Sequence, residues 1–139
     1  HAPPQLGRIL PRLAEALLRQ RALTRAEEVL ARARAAQDEA GFRDDNEHRM
    51  VALKVAAELA VARGRLDAAR ADYARACGVF ASTHDADDPM LADCRLAWAR
   101  ALEPGPSARA LAQQARDAYQ SLGSGFDEER ADAEALLAR

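Results

Sequence analysis

One apolar pattern recurs three times along the chain at intervals of about 42 residues. It consists of four apolar residues at spacings of three, four and three, which place their side chains on one face of an α-helix. The copies run from Leu23 to Ala33, from Leu66 to Ala76 and from Ala108 to Ala118. A recurrence at this interval is typical of a protein built from structural repeats.

Each copy follows a segment with an apolar helical face of its own. These faces are Leu10, Leu13, Ala14 and Leu17, then Leu53, Ala56, Ala57 and Ala60, then Leu91, Cys94, Trp98, Ala99 and Leu102. Alanines let paired helices approach closely, and larger residues such as Leu30 and Tyr73 fill the remaining space. We therefore expect three helix pairs, about 6–41, 46–83 and 89–122, with the aromatic residues Tyr73, Phe80, Trp98 and Tyr119 in the core.

Local signals mark the ends of these helices. Asp88 before Pro89 predicts a helix start, with an N-cap acceptor followed by proline at the first helical position. Thr24 and Glu27 have the spacing of a capping box. Gly64 suits a tight left-handed turn inside the second pair. Residues 127–139 predict a capping helix over the last apolar face, and residues 1–5 a linker before the fold.

Composition narrows the function classes. The chain has 20 basic and 22 acidic residues and a net charge of -2, which argues against a general nucleic-acid binder. No apolar run approaches the length of about 18 residues that a membrane span needs, and no signal peptide is visible. We expect a cytoplasmic protein that has no membrane partner.

The residues with reactive or metal-binding side chains are few. Cys77 and Cys94 have the option of pairing, but we interpret them as small buried packing residues. His84 with Asp85, Asp87 and Asp88 has the chemistry of metal ligands, yet the segment is interpreted as a polar connector, as is the one around His48. We expect no metal, no cofactor, no catalytic residue and no enzyme activity.

Residues 56–76, AAELAVARGRLDAARADYARA, resemble the tetratricopeptide repeat in their order of small residues, glycine, leucine, alanine and aromatic residue. The 42-residue interval resembles the longer kinesin-light-chain type, and the copy in 91–118 departs from the pattern because Pro106 replaces the turn glycine. Residues 96–123, LAWARALEPGPSARALAQQARDAYQSLG, are similar to C-terminal repeat regions of bacterial signalling proteins, especially eukaryotic-type serine/threonine kinases, although the chain holds no kinase motif. The resemblance implies an all-α, right-handed solenoid of three repeats plus a capping helix.

The resemblance also implies a partner-binding site on the concave face, which the first helix of each pair lines. Outward positions of those helices are Arg8, Arg12, Glu15, Arg19, Val51, Lys54, Glu58, Val61, Leu96 and Arg100. Their charged members are the predicted site: Arg8, Arg12, Glu15, Arg19, Lys54, Glu58 and Arg100. Arginines there suit a carboxylate of a partner, although an ordinary solvated helix face has the same composition.

The expected function is therefore that of a scaffold that binds a protein or peptide, as part of a larger bacterial signalling or regulatory protein. Two alternatives remain open. One is a sensory domain that binds a small molecule or signal peptide in a partly apolar pocket of the groove. The other is self-association through the solenoid ends, where an uncovered first helix would expose Ile9 and Leu13.

Overall fold

The computed structural model describes residues 3–139. Within that range the chain forms seven α-helices and one short 3-10 helix (Ser124–Phe126), with no β-strand. The α-helices are α1 Pro4–Arg19, α2 Leu23–Glu39, α3 Glu47–Ala62, α4 Leu66–Thr83, α5 Pro89–Ala101, α6 Pro106–Leu122 and α7 Asp127–Leu137. The predicted all-α class is confirmed. In the predicted linker, residues 1 and 2 lie outside the described range, and α1 already begins at Pro4.

The chain divides into two compact units, His1–Asp72 and Tyr73–Arg139, with the boundary inside α4. In the first unit α1 packs against α2 and α3, and α2 also packs against α3. Buried residues of all three helices form one apolar core, including Leu10, Ala14, Leu17, Ala26, Leu30, Ala33, Val55 and Leu59. This mutual packing is consistent with a helical repeat.

In the second unit α6 packs against α5 and α7. Its core contains Ala92, Leu96, Ala115, Ala118, Tyr119 and Ala133. The ring of Phe126 stacks on that of Tyr119 at 6.0 Å between centroids. Since Ala133 of α7 is fully buried, α7 covers apolar surface of α5 and α6. Among the aromatic residues predicted for the core, Tyr73, Phe80 and Tyr119 are buried and Trp98 is half-buried.

The predicted left-handed turn at Gly64 is confirmed, with a φ of +75°. The amide of Gly64 donates to Val61 O, and that of Arg65 donates to Ala60 O. This is the pair of bonds that closes a helix end in a Schellman motif. Because the left-handed conformation is free of steric cost only for glycine, the sequence signal there was specific.

The N-cap prediction at Asp88 is confirmed, but the predicted capping box is wrong. Asp88 Oδ1 accepts from the amide of Met90 at 2.8 Å, directly before α5. At α2 the N-cap residue is Ala22, and no side chain caps the helix. Thr24 and Glu27 instead accept hydrogen bonds from Arg63 at the end of α3, at 3.2 and 2.8 Å. A tertiary contact therefore uses both side chains.

Cys77 of α4 and Cys94 of α5 form a disulfide across 17 positions of sequence. Both residues are buried, so the packing part of their interpretation agrees with the structure. The pairing, which the sequence left as an option, is the arrangement that the structure shows. With both thiols joined, neither cysteine is a free nucleophile.

Candidate partner-binding surface

Six of the seven predicted site residues lie on two helices that pack against each other in the first unit. We call this surface the α1–α3 face; its predicted charged residues are Arg8, Arg12, Glu15 and Arg19 of α1 with Lys54 and Glu58 of α3. On α1 they follow one another at spacings of three and four, so they form one row along the helix. The repeat resemblance predicted these residues for a binding face, and the structure places six of them on α1 and α3.

Glu15 lies between two of the arginines on α1. Its side chain is only 12% exposed, and its oxygens lie 3.5 Å from Arg12 Nη1 and 3.8 Å from Arg19 Nη2. The two guanidinium groups remain largely in solvent, with side chains 60% and 76% exposed. Exposed ion pairs at these distances contribute little to stability, so both arginines are available to a second carboxylate.

Glu58 shows that the charges of α1 and α3 act on one another. Burial raises the pKa of the Glu58 carboxyl above its usual value, the neighbouring Lys54 lowers it, and Glu15 and Arg19 of α1 have smaller opposing effects. The Lys54 Nζ atom lies 3.9 Å from Glu58 Oε1. Four cations thus share the α1–α3 face with two carboxylates that are both partly withdrawn from solvent.

An apolar row runs beside the charged row on α1. Ile9 and Leu13 are 58% and 42% exposed, and they stand one helical turn apart, each next in sequence to an arginine. On α3 the 41% exposed Val61 follows Glu58 by one turn. Leu13 was predicted to share the apolar face of the first helix with Leu10 and Leu17, but it lies outside the core and is exposed, as the self-association alternative expects.

Val51 and Leu96 were predicted to face outward, and that prediction is wrong for both. Val51 of α3 is 4% exposed and Leu96 of α5 is 5% exposed, and each belongs to the apolar core of its unit. The repeat resemblance assigned both to a solvent-facing row. Their burial removes two apolar positions from the predicted outward row, and neither belonged to the predicted charged site.

Arg100, the seventh predicted residue, lies on α5 in the second unit. Its Nη2 atom is 3.4 Å from Asp132 Oδ2 of α7. The Arg100 guanidinium therefore has a carboxylate partner on the helix that was predicted to cap the fold. This ion pair joins two helices of the second unit, whereas the pairs of Arg12, Arg19 and Lys54 described above each lie within one helix.

His84 of the α4–α5 connection and His48 at the start of α3 have local structural contacts. His84 Nδ1 lies 2.7 Å from Thr83 Oγ1, and the His84 ring meets Phe80 edge-on at 5.5 Å. His48 lies 3.5 Å from Glu47 and 6.3 Å, between ring centroids, from Phe42. Across residues 3–139, no three metal-binding side chains come together in a group that could hold an ion.

The α1–α3 face combines exposed cations with exposed apolar side chains. Arginine presents a planar fork that matches a carboxylate, and the exposed Ile9 and Leu13 offer apolar area beside it.

No helix in the described part of the chain combines the length and hydropathy needed to cross a membrane. Comparisons with protein-family models, with curated proteins and with solved structures find no significant match to this chain.

Proposed function

We propose that this chain is a tetratricopeptide-type domain that binds a partner protein or peptide through the α1–α3 face. In this proposal the three helix pairs form a right-handed solenoid capped by α7, and the α1–α3 face lies on its concave side. The domain has no catalytic activity or cofactor, and its partner is neither nucleic acid nor membrane. The similarity of residues 96–123 to signalling proteins supports a place in a bacterial regulatory protein.

The observation that carries the proposal is the pairing of exposed apolar side chains with cations on α1. Ile9 and Leu13 have no covering element among the described residues, and Arg8 and Arg12 precede them directly. Apolar patches bordered by charge mark interaction sites on soluble proteins. The partner that fits is a segment with a carboxylate next to an aliphatic or aromatic side chain.

An affinity pull-down from a lysate of the source organism tests the proposal, with the wild-type chain compared with an Arg12→Glu/Lys54→Glu variant. We expect the variant to lose the partner, with affinity reduced by about tenfold or more, because two attractive contacts become repulsive. The matched control is Arg25→Glu/Arg32→Glu, which makes the same change of charge at exposed positions of α2.

A partner retained by the wild type and the control but lost by the variant supports the α1–α3 face. Equal retention by all three proteins contradicts it and moves the site elsewhere. Circular dichroism of the three proteins must show equal helicity, so that loss of binding is not loss of fold. Retention of nothing by any of them contradicts a protein partner.

Self-association is a second candidate, and the same two side chains favour it. Ile9 and Leu13 are large apolar residues that lie exposed on the first helix, as the self-association hypothesis expects. In this case the occupant of the α1 row is a second copy of the chain. Because charge is unevenly distributed along the chain, the salt dependence of self-association tests that contact.

We also propose that the protein is cytoplasmic. This location conflicts with the Cys77–Cys94 disulfide, because structural disulfides persist in oxidising compartments and are rare in a reducing cytoplasm. Either the two cysteines are thiols inside the cell, or the protein works outside the cytoplasm. Their redox state in freshly alkylated cells distinguishes the two cases.

A further inference from the structure

A second groove lies on the first unit, away from the α1–α3 face. It has a volume of about 530 Å³ and is walled by α2 and the start of α4, with α3 as its floor. Its apolar lining is mostly alanine: Ala31 and Ala35 of α2, Ala56 and Ala60 of α3 and Ala68 of α4, with Leu30 beside them. No local sequence pattern marks this groove, because three separate helices form it.

The groove and the α1–α3 face use opposite sides of α3. Successive residues of an α-helix are rotated by about 100°. Ala56 and Ala60 therefore point about half a turn away from Lys54 and Glu58. A ligand in the groove and a partner on the α1–α3 face do not compete for the same surface.

Five charged residues border the groove, and two of its three acids are held in ion pairs. Glu27 is held by Arg63 at 2.8 Å, and Asp38 by Arg49 at 2.7 Å. Asp72 has an interaction of its own as well.

The two bordering arginines differ from the acids. Arg34 of α2 and Arg65, which directly precedes α4, are exposed and form no ion pair with any residue in 3–139. The guanidinium charges of Arg34 and Arg65 thus have no ion pair within 3–139 to offset them, and they stand on α2 and directly before α4, beside the apolar floor. This arrangement suits an occupant with an apolar stripe and carboxylates beside it.

We propose that this groove binds an acidic amphipathic α-helix of a partner protein. Its wall on α2 extends from Glu27 to Asp38, about three helical turns and about 16 Å at 1.5 Å per residue. A helix laid between two helices presents side chains at positions i, i+3 or i+4, and i+7 to such a floor. The alanines leave room for those side chains, and Arg34 and Arg65 bind the acidic flanks.

The shape of the groove favours a helix over a compact small molecule. Small-molecule sites are deep, and a few polar groups converge on the ligand. Here the charged side chains stand at the borders and the floor is uniformly apolar. Ala31, Ala35 and Ala68 of its walls are exposed, so the groove is open to solvent, as a site for an extended occupant must be.

The test is a titration of the full chain, labelled with ¹³C at alanine methyl groups, with three synthetic helical peptides. Each peptide carries glutamates beside one apolar stripe, and the stripe residue is alanine, leucine or phenylalanine. We expect at least one peptide to shift the methyl signals of Ala31, Ala35, Ala60 and Ala68, and to leave Ala16 of α1 unshifted. The matching peptides with lysine for glutamate bind at least about tenfold more weakly.

Charge-reversal variants test the contribution of Arg34 and Arg65 separately. Arg34→Glu/Arg65→Glu should weaken the acidic peptide by about tenfold, and the matched Arg25→Glu/Arg32→Glu pair should leave it unchanged. Arg12→Glu/Lys54→Glu should also leave it unchanged, because that surface lies on the other side of α3. The proposal for the groove and the proposal for the α1–α3 face can therefore be contradicted independently of each other.

Three results would overturn the inference. One is the absence of any shift with all three acidic peptides at millimolar concentration. Another is equal binding of acidic and lysine peptides, which would remove the role of Arg34 and Arg65. The third is that dodecanoate, a small anionic amphiphile, shifts the groove alanines and no peptide does, which would assign the groove to a small ligand.

Discussion

At the scale of single residues, a buried glutamine replaces a hydrogen bond that a proline removes. Pro11 lies inside α1 and has no N–H, so the carbonyl of Gly7, four residues earlier, lacks its helical donor. The fully buried Gln37 of α2 donates through Nε2 to Gly7 O at 2.9 Å and to His48 O at 3.0 Å. One amide group thereby joins α1, α2 and α3.

The surroundings of Gly7 explain why this contact is possible. A Cβ atom at Gly7 would lie 3.1 Å from the Phe42 ring and 3.2 Å from Gln37 Cγ. Phe42 is itself held through its carbonyl, which accepts from Nε and Nη2 of Arg49 at 3.2 and 3.1 Å. The small residue in α1 thus lets the α2–α3 connection approach the helix closely.

We predict that Gln37→Leu lowers the free energy of unfolding by about 2 kcal/mol, because two carbonyls lose a buried donor. In a Pro11→Ala background the loss should be smaller, since the backbone amide of the new alanine can then donate to Gly7 O. Urea unfolding of the four proteins of this double-mutant cycle measures the difference. The exposed Gln120→Leu serves as control and should change stability by less than about 0.5 kcal/mol. An equal loss in both backgrounds contradicts the substitution of one donor for the other.

At the scale of elements, the turns within the first two helix pairs have one geometry. Arg21 stands 43 positions before Gly64 and also has a positive φ, +63°. Its amide donates to Leu18 O, and that of Ala22 donates to Leu17 O, the counterparts of the bonds at Gly64. An arginine in this conformation costs about 1 kcal/mol that glycine does not. The packing of the helix pair therefore imposes the left-handed turn, even where the residue is an arginine that prefers a negative φ.

We predict that Arg21→Gly raises the free energy of unfolding by about 0.5–1 kcal/mol, and that Gly64→Ala lowers it by about 1 kcal/mol. Gly78→Ala is the matched control: Gly78 lies inside α4, has open space around it and lacks a positive φ, so alanine should stabilise it by about 1 kcal/mol. Chemical unfolding of the three variants checks the signs. The same sign for both glycine replacements contradicts the account.

A disulfide bond between two helices of the second unit affects the stability of the fold. The Cys77–Cys94 disulfide joins α4 to α5 and encloses the loop that carries His84 and Asp88. Closing a loop of this length reduces the entropy of the unfolded chain. We predict that Cys77→Ala/Cys94→Ala, or reduction of the wild type, lowers the free energy of unfolding by about 3 kcal/mol.

Urea unfolding with and without reductant measures this loss. Reductant should shift the midpoint of the wild type and leave that of the double alanine variant unchanged. Two thiols that titrate in the native, unreduced protein, or a midpoint that does not move, contradict the prediction. That result would also remove the conflict with a cytoplasmic location.

At the scale of the whole molecule, charge is divided unequally between the two units. The first 72 residues hold 13 basic and 11 acidic side chains, and the remaining residues hold 7 and 11. The first unit is therefore net positive and the second net negative, although the chain as a whole is nearly balanced. Opposite charge on two parts of one chain favours contact between the unlike parts of two copies.

The self-association candidate predicts that the sedimentation coefficient rises with protein concentration at low salt and less so at high salt. Ile9→Ser/Leu13→Ser should abolish that rise, because it removes the exposed apolar row of α1. Met90→Ser, at an exposed residue of α5, is the control and should behave like the wild type. A coefficient that is independent of concentration contradicts this candidate and leaves a foreign partner for the α1–α3 face.

Features that depend on neighbours along the chain are predictable from the amino-acid sequence alone. Helical class, the left-handed turn at Gly64 and the Asp88 cap follow from spacing and from the conformational preferences of single residues. These signals act over a few residues, so a sequence pattern contains them in full. The structure agrees with each of them.

Which segments meet, and so what each side chain contacts, depends on how the helices pack in three dimensions. Glu27 was free to cap α2, yet Arg63, 36 positions later, holds it. Val51 and Leu96 had places on an outward row, yet both are buried. Gln37 carries no local sign of its two distant carbonyl partners. Burial and pairing depend on the packing of helices remote in sequence, where the free energy of removing apolar surface from water outweighs local preference.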